Sequence, residues 1–169
     1  TAVEARAEDL LQADGYIFCA PENLAAISGV MKDFFDRSYY PALGRIEGRP
    51  YMQMVCAGSD GENAARQTAR IAQGWRLKEV QPPLIVCTCA QTPEEILAQK
   101  TICEKHLETC RELGAAMGAA SDASVIRLSF WVLRPRRPRA FRPIAIGLIS
   151  GLSVIVEAVF GQHLARLAR

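Results

Sequence analysis

The sequence predicts an α/β fold, a parallel sheet covered by helices on both faces. Two observations carry this reading. Tyr16, Ile17, Phe18, Cys19 and Ala20 form a continuous apolar run, and residues 51–57 form a second strand-like run broken only by Gln53. Near-continuous hydrophobicity of this kind is what a strand buried on both sides requires. After each run, apolar residues recur at helical spacing, so strand and helix alternate along the chain. Right-handed crossovers then place helices on both sides of the sheet.

Residues 3–12 read as the end of a helix, with Val3, Ala7, Leu10 and Leu11 close to one face, and Asp14-Gly15 breaks it. The first strand follows. Pro21, Glu22 and Asn23 are expected to end it, because proline donates no ladder hydrogen bond and asparagine favours turns. A helix is then marked by Ile27, Val30, Met31, Phe34 and Phe35, with Lys32, Asp33, Asp36 and Arg37 on a solvated face or an oligomer contact. Tyr40-Pro41 should stop it, and residues 42–49 form a polar loop.

Pro50 opens the second strand, which ends in Gly58-Ser59-Asp60-Gly61, a tight-turn cluster. The next helix is expected over residues 62–75, with Ala65, Thr68, Ala69, Ala72 and Trp75 inward. Asp60 is placed to cap it, and Glu62 suits its positive end. Residues 77–88 hold a third strand interrupted by Pro82-Pro83, which confines it to an edge. Thr92-Pro93-Glu94-Glu95 is a helix start with a cap, a first-turn proline and acids. One helix is expected from there to about residue 119, presenting Ile96, Leu97, Ile102, Leu107, Leu113 and Met117. Tyr39, Tyr40 and Trp75 are assigned to packing.

The 169 residues, half of them hydrophobic, suffice for one domain with its own core and exclude a disordered chain. The formal charge of +2 conceals an asymmetry. Residues 1–121 hold 12 Lys and Arg against 16 Asp and Glu; residues 122–169 hold 8 Arg, no Lys and 2 acids. Two kinds of segment are therefore expected, 1–121 and 122–169.

The six cysteines all fall in the first part. Cys19, Cys56 and Cys87 lie in strand-like runs, where a thiol acts as a small hydrophobe. Cys87 and Cys89 are expected to share one side of a strand, and Cys103 and Cys110 to lie on a helix. Nothing matches paired Cys-x-x-Cys zinc spacing, so no metal is expected. Reduced thiols fit a cytoplasmic protein. The start at Thr1 carries no secretory signal, and an amino-terminal truncation is expected. His106 and His163 have no serine or cysteine partner evident in the sequence, and no His-Glu-x-x-His, Walker or EF-hand pattern occurs. No catalytic side chain is therefore assigned.

Ala20-Pro21-Glu22-Asn23, followed by Ser28-Gly29-Val30-Met31-Lys32-Asp33-Phe34-Phe35-Asp36-Arg37, resembles the flavodoxin-like family of NAD(P)H-dependent FMN reductases and quinone reductases. The resemblance extends over residues 1–120. It implies a flavodoxin-like three-layer αβα sandwich, FMN as cofactor, NAD(P)H as co-substrate and a small-molecule electron acceptor such as a quinone. In such proteins the flavin carries the reaction, and the chain supplies backbone donors and a platform. By the same resemblance, Pro21, Glu22, Asn23, Ile27 and Ser28 would line one side of the ring, and Ala57, Gly58, Ser59 and Gly61 the other. Each turn taken alone is an ordinary structural turn. Their shared place at the carboxyl ends of adjacent parallel strands is what singles them out. Self-association is expected, because family members commonly pair and an incomplete sheet leaves an edge.

The sequence departs from the family in one respect. Residues 14–20 correspond to the family's third strand, so the first two strands and the hydroxyl-rich phosphate loop are expected to be missing. Gly58-Ser59-Asp60-Gly61 is no substitute, because Asp60 and Glu62 would repel a phosphate. The alternative function is therefore a non-catalytic flavodoxin-like remnant or interaction module, tethered to a membrane or not.

The stretch from Arg134 to Arg142 is basic and broken by proline, and residues 143–161 are nearly all apolar. A membrane-inserted helix is one reading, weighed down by Glu157, three glycines and a marginal length. A basic patch for nucleic acid is another; no stacking aromatics interleave with the arginines, so no nucleic-acid partner is expected. A segment foreign to the domain, or a helix covering exposed apolar surface, are the others.

Overall fold

The computed structural model describes residues 1–99, 102–120 and 128–131. Its elements in order are α1 (Ala7–Gln12), β1 (Gly15–Asn23), β2 (Ala26–Ile27), α2 (Gly29–Ala42), β3 (Pro50–Ala57), α3 (Glu62–Gly74), β4 (Lys78–Glu79), β5 (Leu84–Cys87), α4 (Pro93–Leu97), α5 (Glu104–Ala120) and β6 (Leu128–Trp131). The sheet centres on β1 and β3, which run parallel with Tyr16 opposite Tyr51 and Pro21 opposite Cys56. On the far side of β3, β4 and β5 pair with it in succession, both parallel, as two halves of an edge broken at Pro82-Pro83. On the other side of β1 lies β6, also parallel, with Gly15 opposite Leu128 and Phe18 opposite Trp131. The sole antiparallel pair among the described residues is the small hairpin of β1 and β2.

Alternation along the strands separates two apolar layers. Tyr16, Phe18, Ala20, Tyr51 and Val55 face one way and pack with Leu10, Met31, Phe34, Phe35, Ala65, Ala72 and Trp75 from α1, α2 and α3. Phe18 is central: its ring meets Phe35 edge-on at 5.2 Å and lies 6.4 Å from Trp75. Ile17, Cys19, Met52, Met54, Cys56 and Val86 face the other way, under Ile102, Leu107, Cys110 and Met117. Helices therefore cover both faces, and the molecule is the flavodoxin-like αβα sandwich.

Several boundaries differ from the sequence expectation, each for a local reason. The first helix begins at Ala7; Ala2, Val3 and Glu4 form a turn, and Arg37 holds the chain on either side of Val3 and Glu4. That guanidinium donates to Ala5 O at 2.8 Å and Ala2 O at 2.9 Å, besides pairing with Asp33, so Arg37 is a tether rather than only a solvated charge. β1 runs through Pro21 to Asn23. Proline lacks only its donor; its carbonyl still accepts from the Ser28 N–H at 3.2 Å. α2 takes Pro41 into its last turn, where little of the hydrogen-bond ladder remains to be forfeited.

The single helix expected from residue 92 is two. Thr92 and Glu95 make the expected reciprocal cap on α4, but Ile96 and Leu97 are 40% and 47% exposed. A helix that finds no apolar surface is short. Ala98 leaves helical geometry, and α5 starts at Glu104, where Leu107, Cys110 and Met117 reach the second face. On α2, Val30 is exposed, and on α3 Ala69 is only half-buried while Ala64 takes an inward place. Cys89 lies beyond β5 with φ +53°, so it shares no strand face with Cys87, and Cys103 precedes α5 rather than lying in it. Trp75 is fully buried, donates from Nε1 to Tyr39 O at 2.9 Å and stacks on the Tyr39 ring; Tyr40 is 79% exposed and meets the Tyr39 ring edge-on. The segment 143–161 lies outside the described residues. No helix among the described residues is long and apolar enough to cross a membrane.

Candidate functional site

The site is built where β1 and β3 end. Their parallel register brings Pro21 beside Cys56, so the chain leaving β1 and the chain leaving β3 emerge side by side. Every residue singled out from the sequence falls on these two exits. Pro21, Ile27, Ser28, Ala57 and Gly61 are buried, Glu22 and Asn23 half-buried, and Gly58 and Ser59 exposed.

The exit from β1 is a hairpin turning through Leu24 and Ala25, between Asn23 and its partner Ala26. Both turn residues have positive φ, +51° and +58°. That is the backbone a two-residue hairpin demands, normally supplied by Asn or Gly, and a leucine there is strained. Leu24 is wholly exposed at the tip.

The exit from β3 turns at Gly61, whose φ is +71°. An added Cβ would stand 2.7 Å from Ile85 Cγ2 and 3.0 Å from Ala57 Cβ, so only glycine fits. Gly61 is the residue immediately before α3, not Asp60 as expected from the sequence. Asp60 still serves the helix start, since its Oδ1 accepts the Glu62 N–H at 2.9 Å.

Three contacts join the two exits. The Gly61 N–H donates to Glu22 Oε2 at 3.2 Å, across 39 residues of sequence. The Ile27 N–H donates to Gln67 Oε1 at 3.1 Å, and Asn63 Nδ2 donates to the Ala25 carbonyl. Asn63 and Gln67 were missed in the sequence. They are polar residues four apart on one face of an alanine-rich helix, a spacing that would have marked a contact face. Glu22 Oε1 and Ser28 Oγ are buried without a partner among the described residues.

The electrostatics at this end are negative. Burial first, then Cys89, Asp60, Glu22 and Glu62, push the Cys87 thiol above its ordinary pKa. Those carboxylates also settle what the α3 amino terminus can hold. Its first N–H groups already face Glu22 and Asp60, and Glu62 adds a charge, so it does not suit a phosphate. A flat uncharged ring is a different matter. Gly58 has no atom within 4 Å of an added Cβ, so backbone can be approached closely there. The two exits thus leave room for a flat uncharged group and do not suit a phosphate. No group of three or more His, Cys, Asp or Glu suited to a metal occurs among the described residues.

The family model for NADPH-dependent FMN reductase matches residues 1–91, the span from α1 through β5 that contains both exits. No curated protein matches the chain. A solved structure of an NADPH-quinone reductase from P. pentosaceus is similar at 20% identity over 73% of this chain and 79% of that one, with a TM-score of 0.46. That likeness is too slight to add to the argument. With more than half of its length matched, the chain belongs to the NADPH-dependent FMN reductase family.

Proposed function

We propose that the chain is an FMN-dependent oxidoreductase that takes a hydride from NAD(P)H and delivers electrons to a quinone or a similar small acceptor. The observation that carries this reading is the meeting of the two strand exits, tied by the Gly61 N–H to Glu22 bond. Open α/β sheets bind ligands at the carboxyl ends of adjacent strands. Pro21, Glu22, Asn23, Ile27 and Ser28 would hold one side of the ring, and Ala57, Gly58, Ser59 and Gly61 the other. When bound there, FMN supplies the hydride and electron chemistry, which no side chain of this site could supply. The chain's own contribution is binding, orientation and shielding. Gly58 allows close backbone approach, and the buried Pro21, Ile27 and Ala57 keep water from the inner side.

No disulfide joins the six cysteines, which favours a reducing, cytoplasmic setting. Self-association through exposed sheet or helix surface belongs to the same proposal. One observation favours the alternative, a flavodoxin-like module without catalysis: carboxylates occupy the amino terminus of α3. Titration of the purified chain with FMN, followed by flavin fluorescence quenching and then by NAD(P)H oxidation with a quinone, separates the two. Saturable quenching and acceptor-dependent turnover are expected. Unchanged fluorescence at high micromolar FMN would leave the non-catalytic module.

A further inference from the structure

We infer that Glu22 is a positioning residue that sets the spacing between the two strand exits, and so the width of the slot offered to a flat ring. This rests on the ring site proposed above. Three observations converge on it. The carboxylate reaches from the end of β1 to the first turn of α3, where Oε2 accepts the Gly61 N–H at 3.2 Å. Gly61 sits against Ile85, Ala57 and Val55, which fill the space where any side chain would stand. The bond therefore ties the hairpin to the packed turn at the start of α3.

The second observation is that the other oxygen, Oε1, is buried with no partner among the described residues. A buried carboxylate oxygen without a donor opposes folding. A neutral or apolar residue would avoid that, so stability alone does not explain a glutamate here. The third is the direction of the remaining bonds. Asn63 and Gln67 on α3 hold the hairpin from the helix side, at Ala25 O and the Ile27 N–H. Glu22 holds the helix start from the hairpin side. Hairpin and α3 are laced in both directions, while the strained tip at Leu24 is left in solvent. Glu22 lies on the exit nearest the slot, so its loss should change the spacing rather than the core.

The test uses the whole chain and two probes, FMN and lumiflavin, the ring without its ribityl phosphate. Dissociation constants are measured for wild type, Glu22→Ala and Glu22→Gln. Arg49→Met, which weakens the fold at the opposite end of the sheet, serves as a stability control. Glu22→Ala should bind both probes about tenfold more weakly, the factor carried by one charge-assisted hydrogen bond. Glu22→Gln keeps the acceptor for Gly61 and should recover to within about threefold of wild type. Arg49→Met, destabilised through contacts far from the slot, should bind both probes as wild type does. A merely structural role would make affinity follow stability in all three variants, and that result would overturn the inference. So would wild-type affinity in Glu22→Ala, or failure of glutamine to rescue. If wild type itself binds neither probe, the ring site fails and this inference with it. If wild type binds and Glu22→Ala binds equally, only the inference fails.

Discussion

Substituting Gly61 by alanine tests the geometry of the site most directly. Its φ of +71° lies in the left-handed region, where a side chain costs about 1–2 kcal/mol. The new methyl would also stand 2.7 Å from Ile85 Cγ2, 3.0 Å from Ala57 Cβ and 3.2 Å from Val55 Cγ1. These are strand side chains packed in a sheet, not flexible ends, and overpacking of this kind costs about 1–3 kcal/mol. The two effects together predict a loss of about 2–5 kcal/mol, a large share of the stability of a domain this size. Equilibrium unfolding in urea, followed by the fluorescence of the buried Trp75, measures it as a drop in midpoint at constant slope. Ile85→Ala removes the nearest clashing atom. The double variant should therefore lose less than the sum of the two single losses, and by more than about 0.5 kcal/mol. If Gly61→Ala unfolds within about 0.5 kcal/mol of wild type, the turn is not held as described.

Other outcomes follow from the same structure. Arg49 Nη1 donates to the carbonyls at the end of α1, Leu10 at 2.9 Å and Leu11 at 3.0 Å, and to Tyr16 Oη at 3.1 Å; Arg49→Met should cost about 2–4 kcal/mol in urea unfolding, because several partly buried acceptors lose a charged donor. Leu24→Gly should instead raise stability or leave it unchanged, by up to about 1 kcal/mol, since glycine accepts the +51° φ that leucine does not; a clear loss would mean that the leucine packs on something. Burial first, and then Cys110 and Cys56, push the Cys19 pKa up to about 12 from an ordinary 9.0. The folded state keeps a proton that the unfolded chain gives up, so this contribution is full below pH 9 and is lost as pH rises toward 12. The Cys19 share of stability should fall by about 1.4 kcal/mol per pH unit within that window, and Cys19→Ala should flatten the fall. Finally, Cys89 and Cys103 are exposed while Cys19, Cys56 and Cys110 are buried; a disulfide dye should titrate the exposed pair first, and early reaction at Cys19 would contradict the second core layer.

Much of this protein was legible in its residues. The runs at 16–20 and 51–57 are readable as strands because burial on both faces leaves almost no polar position, Gln53 being the exception, and each had one plausible helix after it. The break at Pro82-Pro83 was enough to place β5 at an edge, since proline removes a ladder donor wherever it falls. The wording of residues 20–37 pointed to the family, and that resemblance together with the place of the turns at strand ends named the two exits. What the sequence could not supply was anything depending on distant partners. Pro21 belongs to a strand because Ser28 reaches its carbonyl, and the helix expected from residue 92 divides because only its later half finds a sheet face. The pairing of β6 with β1 joins residues more than a hundred apart. The Glu22 to Gly61 bond spans 39 residues and depends on the register of two strands. Local pattern fixes which residues are apolar and where the backbone must turn; which turns meet is decided by packing, whose partners are adjacent in space and not in the chain.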